Sequence, residues 1–175
     1  MDIREFLNLH SSRLNADILA DKIEEDPYIF DSVWDIMLEE VHPVSMRAAW
    51  SISIFLKRHP YFIESRIPEI ISILPDIESP SVKRFLLIFL TLLPVPDNLS
   101  GFLFDFCFNL VESASAYIAH KAYAMTILYN ISDIEPDLKP ELIDLFESQM
   151  VDESTAIQSC SRKLLTRLQK DLSGN

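Results

Sequence analysis

The stretch from Met46 to Pro60, MRAAWSISIFLKRHP, is an apolar segment that carries a basic residue near its start. Similar segments follow it along the chain: VKRFLLIFLTLLP from Val82, AHKAYAMTILYNIS from Ala119 and IQSCSRKLLTRLQK from Ile157. Their first residues are offset successively by 36, 37 and 38 positions. Self-similarity at a nearly fixed period of this size is typical of solenoids, in which stacked units bury a continuous core. We therefore predict an all-α superhelix of antiparallel helix pairs.

Prolines separate the apolar blocks, because the proline ring can open a helix but forbids its continuation. Seven of the ten prolines fall between these blocks: Pro27, Pro43, Pro60, Pro80, Pro94, Pro96 and Pro136. The pattern predicts leading helices near 2–9 and 13–25, followed by four helix pairs. The pairs are 28–41 with 44–58, 61–74 with 80–93, 98–112 with 116–131, and 138–150 with 154–171. All of them belong to one predicted domain, residues 1–175.

Two segments depart from a simple helical pattern. Pro68 lies in the middle of SRIPEIISILP, so we expect the first helix of that pair to kink or restart there. In GFLFDFCFNL, phenylalanines recur at every second position from Phe102 to Phe108, which taken alone indicates a strand. We nevertheless predict a helix, because an isolated strand would have no pairing partner.

The two helices of each pair differ in charge. The second helices, taken as 44–59, 80–94, 115–131 and 154–172, hold ten of the 15 basic residues and a single acid, Asp171. The first helices carry acidic stripes with the spacing of one solvated helix face, for example Asp31, Asp35 and Glu39. The pattern predicts an acidic outer layer of first helices and a mildly basic, mostly apolar layer of second helices.

Composition argues against several classes of protein. A net charge of −12 disfavours general affinity for nucleic acid or an anionic membrane. With two glycines, the chain has no phosphate-binding glycine loop. Cys107 and Cys160 have no partner spacing, so we expect reduced, buried thiols and neither a disulfide nor a metal site. His42 and His59 each precede a proline, which predicts helix junctions and not metal ligands.

The N-terminal residues MDIREFLNLH include acids and no apolar run, which argues against a secretory signal. The longest apolar stretch, 85–96, is shorter than the ~20 residues that a membrane crossing needs. We therefore expect a cytoplasmic protein without a cofactor.

Residues 66–93, RIPEIISILPDIESPSVKRFLLIFLTLL, resemble a HEAT repeat: an apolar first helix with a proline, an acidic turn, and a Val-Lys start to the second helix. The chain from about 28 to 170 is similar to a small family of bacterial HEAT-like helical-repeat proteins with an ARM-type fold. The correspondence is strongest in RAAWSISIFLKRHP and IAHKAYAMTILYNISDIEPDLKPELIDLF. The resemblance implies an α-solenoid and no particular reaction. Some members carry the label adenylosuccinate lyase, but this chain lacks the Ser-bearing, Gly-rich loop which that activity requires.

Basic residues near equivalent helix starts are candidates for a binding track. The tentative track consists of Arg47, Lys83, Arg84, His120, Lys121, Arg162 and Lys163. In HEAT-like stacks the second helices usually line the concave surface, so the resemblance implies a groove for an acidic peptide, a nucleic-acid backbone or another anion. The alternative is a structural ladder, in which these side chains bond to turn acids or carbonyl groups of the adjacent repeat.

Several aromatic and ionisable residues are candidates for a catalytic or binding role. His120 and Lys121 stand on an otherwise apolar helix, where burial can shift a pKa; no acid or nucleophile lies nearby in sequence, and His120 is expected to be exposed or bonded to a carbonyl group. Trp50 is expected in the core because its segment is apolar on nearly all faces. Trp34, beside the acidic stripe, is the better candidate for an exposed tryptophan.

These observations favour a non-enzymatic module that binds a protein partner, with self-association as an open alternative because a short solenoid can expose an apolar end. The other hypothesis is a nucleic-acid-binding protein similar to HEAT-like DNA alkylation-repair glycosylases. Asp35 beside Trp34 is the one pairing that fits the acid and aromatic residue of such an enzyme. Because the chain is acidic, we expect neither nucleic acid nor membrane as the main partner.

Overall fold

The computed structural model describes residues 2–9, 12–151 and 153–174, and these residues form helices and connecting segments without a strand. The first five α-helices are α1 (Ile3–Asn8), α2 (Arg13–Glu25), α3 (Ile29–Leu38), α4 (Val44–Arg58) and α5 (Ile67–Ile73). The next five are α6 (Pro80–Leu90), α7 (Asp97–Glu112), α8 (Ile118–Ile134), α9 (Lys139–Ser148) and α10 (Thr155–Leu172). Short 3₁₀ helices, Pro60–Arg66 and Pro136–Leu138, precede α5 and α9. The predicted all-α fold and the order of its helix pairs are confirmed.

Helix starts follow from local chemistry. The side chains of Ser79 and Ser154 accept hydrogen bonds from the backbone N–H groups of Val82 and Ile157, which caps α6 and α10. Such caps satisfy N–H groups that have no partner within the helix, and each contributes about 1 kcal/mol. Pro80 is the first residue of α6, where the N–H group that proline lacks would have no partner within the helix. Its ring also fixes the backbone angle that a helix requires.

Both ambiguous segments behave as predicted. The 3₁₀ helix Pro60–Arg66 gives way to α5 at Ile67, directly before Pro68. The phenylalanine-rich segment is helical throughout and belongs to α7. Within α7, Phe104 is buried and Phe102 is exposed, so the period of two in the sequence does not correspond to two faces of a strand. His42 and His59 lie at helix junctions, before α4 and after it.

Contacts along the chain divide it into two compact units, Met1–Leu93 and Pro94–Asn175, while the predicted single domain stays a prediction. In the first unit, α4 packs against α1, α2, α3 and α6. Its core includes one fully buried side chain from each of α2, α3, α4 and α6, for example Leu19, Trp34, Ile52 and Phe89. Burying a side chain of this kind contributes about 1.5–3 kcal/mol. Because α4 contacts α1, α2, α3 and α6, it is the central helix of this unit.

In the second unit, α8 is the central helix and packs against α7, α9 and α10. Met125 and Leu128 of α8 are fully buried, as are Leu103 of α7 and Phe146 of α9. Cys107 is buried and free, and burial raises the pKa of its thiol. Cys160 is also free but only half-buried, so the prediction of two buried thiols is right for Cys107 and wrong for Cys160.

A polar cluster fastens the last helix to this unit. The carboxylate of Asp171 accepts hydrogen bonds from Lys139 Nζ and from the Tyr129 hydroxyl, each at 3.0 Å. The Arg167 guanidinium lies 4.7 Å from the centre of the Tyr129 ring. The hydrogen bond from Lys139 lowers the pKa of Asp171; partial burial opposes the shift, and the Tyr129 hydroxyl adds to it.

We expect Asp171→Asn to make the protein less stable near neutral pH, and this difference to shrink as the solution is acidified. A carboxylate whose pKa is lowered by folding stabilises the protein above its pKa in the unfolded chain, and that contribution is lost as the pH falls through the folded-state pKa. Urea midpoints of both proteins, measured between pH 7 and about pH 3, test this. Asp144→Asn, an exposed carboxylate on α9, is the control. A difference that does not depend on pH would mean that charge is not the cause.

Candidate functional site

Arg47 forms hydrogen bonds within the first unit. Its Nη1 donates hydrogen bonds to the carbonyl oxygens of Leu7 and Leu9, at 2.8 and 2.5 Å, where α1 ends. The carbonyl groups of a last helical turn have no partner within the helix and carry partial negative charge, so a guanidinium is well suited to bind them. For Arg47, the geometry corresponds to the structural ladder and not to a free cation of the predicted track.

We expect Arg47→Met to lower the free energy of unfolding by about 1–3 kcal/mol, the range for hydrogen bonds to a charged group. The loss should loosen α1 most, because the bonds that hold its C-terminal end disappear. Urea denaturation measures the first effect, and hydrogen exchange of the α1 amides measures the second. Lys57→Met, which removes an exposed cation from the same helix, is the control. Unchanged exchange in α1 would contradict the role assigned to Arg47.

Lys121 is also engaged and is nearly inaccessible. Only 3% of its side chain is exposed, and its Nζ forms an ion pair with Glu153 and lies 3.4 Å from the amide oxygen of Gln149. His120 is 4% exposed, and its ring meets that of Tyr117 edge-on with centroids 5.1 Å apart. His120 is therefore buried and not exposed, and the alternative expectation, a bond to a carbonyl group, stays a prediction.

The other track residues differ in accessibility. Lys83 and Arg84 are half-buried on α6, and the Arg84 guanidinium lies 4.7 Å from the centre of the Phe85 ring. Arg162 and Lys163 are exposed on α10, and Arg162 Nε donates to the carbonyl oxygen of Gln158 at 3.3 Å. The track as a binding surface stays a prediction, and Arg84 is the member that lines a cleft.

This cleft, which we call the basic cleft, has a volume of about 390 Å³ and belongs to the first unit. Helix α4 supplies Met46, Trp50, Ser53, Ile54 and Lys57. Helix α6 supplies Arg84, Phe85 and Ile88, and Arg13 lies at the start of α2. Met46, Trp50, Ile54 and Lys57 follow one another at steps of three and four, so they share one face of that helix, and Ser53 lies beside Ile54.

The basic cleft combines an apolar floor with positive charge. Three cationic side chains border it, and no acidic side chain is among its described lining residues. Arg13 forms an ion pair with Asp17 at 2.9 Å, and 67% of its side chain is exposed. Lys57 is exposed at the end of α4, and the described part of the chain offers it no carboxylate partner. In a protein with a net charge of −12, this is a local site of positive potential.

Neither tryptophan has the environment predicted for it. Trp50 is half-buried and lines both the basic cleft and a small cavity of about 20 Å³. Trp34 is completely buried, and its Nε1 donates to Glu69 at 3.3 Å. The expectation that Trp34 is the exposed tryptophan is therefore wrong. Although Asp35 is exposed, Trp34 beside it is not available to stack on a nucleic-acid base.

The charge pattern of the sequence predicts that α4 and α6 belong to a basic, apolar layer, but it does not assign Arg13, Trp50 or Lys57 to the site. The steps from Met46 to Trp50 and from Trp50 to Lys57 are four and seven residues, a spacing that places all three on one helix face. The spacing groups these residues on one face, but it does not indicate whether that face is open. For Arg13 no signal exists, because it reaches the cleft from another helix through tertiary packing.

Within the described ranges, no helix is long and apolar enough to cross a membrane. The same residues contain no group of three or more histidine, cysteine, aspartate or glutamate side chains that could hold a metal ion. Residues 3–168 match the family model of the HEAT repeat domain, and no curated protein or solved structure matches the chain. Because this match covers nearly the whole chain and agrees with the order of helix pairs, the protein belongs to the HEAT repeat domain family.

Proposed function

We propose that this protein is a non-enzymatic interaction module that binds another protein through the basic cleft. The observation that carries the proposal is the cleft itself: an open cleft with a mixed polar and apolar lining and a half-buried tryptophan, bordered by cations in an otherwise acidic chain. Helical repeats present such surfaces on rigid elements, so that binding requires little reorganisation.

The residue types in the cleft are those that dominate protein recognition. Tryptophan and arginine are enriched among the residues that contribute most to interface affinity, because tryptophan buries a large rigid ring and arginine donates several hydrogen bonds from a planar guanidinium. Trp50 and Arg84 occupy adjacent helices and border the same space. A volume of about 390 Å³ accommodates a few side chains of a partner, which fits a short segment anchored within a larger interface.

Affinity capture tests the proposal. The tagged protein is incubated with lysate of its source organism at low salt and at about 0.3 M salt, with and without nuclease. The proposal predicts a protein partner that is retained at higher salt and after nuclease treatment, because burial of apolar surface contributes to the complex. Recovery of nucleic acid alone, lost at higher salt, would replace the proposal by the nucleic-acid-binding alternative.

A further inference from the structure

We infer that the basic cleft receives a short acidic segment of the partner protein, in which carboxylates flank one large aromatic side chain. The inference rests on the proposed function and adds the chemistry of the partner. It is carried by the arrangement of apolar and cationic groups around Trp50.

The apolar residues of the cleft fit an aromatic side chain of the partner. Met46, Trp50 and Ile54 form one apolar stripe along α4, and Phe85 and Ile88 face the same space from α6. An aromatic ring that enters here packs against Trp50 in an offset or edge-on geometry and removes apolar surface from water on both sides. A wholly charged segment would leave this floor unfilled.

The cationic residues at the edge of the cleft fit carboxylates on both sides of the aromatic side chain. Lys57 lies eleven residues after Met46 on α4, which corresponds to about 16 Å along the helix. An extended peptide covers that length with about five residues. Arg84 is held over the Phe85 ring, so its guanidinium is already oriented, and the exposed Arg13 can exchange its partner Asp17 for an incoming carboxylate.

Charge and size favour an acidic peptide over nucleic acid. Three cations match a few carboxylates, whereas a duplex brings a continuous line of phosphates that the remaining acidic surface repels. Trp34, the aromatic residue of the glycosylase-like pairing with Asp35, is fully buried and cannot stack on a base. A second copy of the chain remains an outcome of the experiment.

Trp50 provides the readout. Since Trp34 is fully buried, acrylamide should quench mainly Trp50, and an occupied cleft should protect it. The probe is the blocked peptide EDEFDED, titrated at low salt into the full chain; EDEADED removes the ring, and NQNFNQN removes the charges. A 12-nucleotide single strand and the protein at increasing concentration test the other two occupants.

We expect saturable protection of Trp50 by EDEFDED, with each altered peptide binding roughly fivefold to tenfold more weakly. Lys57→Glu should weaken binding of EDEFDED by a similar factor, and Arg84→Gln provides a second variant that does not depend on the first. Lys170→Glu, a reversal of an exposed charge on α10 outside the predicted track, is the matched control and should bind normally. Folding of every variant is checked by circular dichroism.

Three results would overturn the inference: equal binding of all three peptides, no protection by EDEFDED, or protection by the oligonucleotide or by a second copy in its place. These outcomes are separable from failure of the proposed function. If affinity capture recovers a protein partner while EDEFDED leaves Trp50 accessible, the module binds protein by other chemistry. If capture recovers nucleic acid alone, the proposed function itself fails.

Discussion

Replacing Trp34 by alanine is expected to lower the free energy of unfolding by about 3–5 kcal/mol, the range for deleting a buried aromatic side chain. Trp34 is completely buried, stacks on Phe30 with ring centroids 5.8 Å apart, and lies under the Arg66 guanidinium at 5.0 Å. The substitution also leaves the Glu69 carboxylate without its indole donor. Urea denaturation followed by circular dichroism measures the loss.

Trp50→Ala is the matched control for this experiment. Trp50 is half-buried and faces an open cleft, so its truncation removes less buried surface and leaves a gap that water can enter. We expect a smaller loss of stability together with loss of binding at the cleft. Equal destabilisation by the two substitutions would contradict the assignment of Trp34 to the core and Trp50 to the surface.

Replacing Glu153 by glutamine is expected to destabilise the protein by about 3 kcal/mol or more, because the Lys121 ammonium then lies in the interior without its counter-charge. Lys121 is nearly inaccessible, and its remaining partner is the neutral amide of Gln149. Removing one member of a buried ion pair costs more than the pair itself contributes, since an uncompensated charge stays behind. Urea midpoints of the variant and the wild type measure this effect.

The double variant Lys121→Met with Glu153→Gln separates charge from packing. Methionine has a volume similar to that of lysine and no charge, so the double variant should recover most of the stability lost by Glu153→Gln alone. Asp133→Asn, which alters an exposed partner of Lys139, serves as a control for loss of a surface carboxylate and should have little effect. If the double variant is less stable than Glu153→Gln, burial of the unpaired ammonium is not the cause.

Helix positions could be predicted because their signals are local. Prolines and serine caps act within one turn, and α4, α6, α8 and α10 begin within a few residues of the positions predicted from the repeat. The break before Pro68 has the same origin, since the proline ring blocks the preceding helical turn whatever packs around it.

The helical period of α3 predicts the burial of Trp34, although the acidic Asp35 next to it in the sequence suggested an exposed position. Asp35 is its neighbour in sequence, yet adjacent residues of a helix point about 100° apart. Phe30 and Met37, at four and three positions from Trp34, are both buried, whereas Asp31 and Asp35 are exposed. The helical period therefore places Trp34 on the apolar face, and the acidic stripe beside it belongs to another face.

The orientation of Trp50 and Arg47 could not be obtained in this way. Helix α4 is apolar on nearly every face, so periodicity does not indicate which side meets a neighbour and which remains open. Arg47 reaches the end of α1, and Trp50 borders a cleft completed by α6 and α2. Both outcomes depend on tertiary contacts between segments distant in sequence.

The most direct test of the account is quantitative capture of the partner by three proteins: wild type, Lys57→Glu and Lys163→Glu. Both variants reverse one exposed lysine, but only Lys57 borders the basic cleft. The account predicts that Lys163→Glu retains as much protein partner as wild type, independently of nuclease, while Lys57→Glu retains several times less. Normal capture by Lys57→Glu, with loss in Lys163→Glu, would contradict it and place the binding surface on α10.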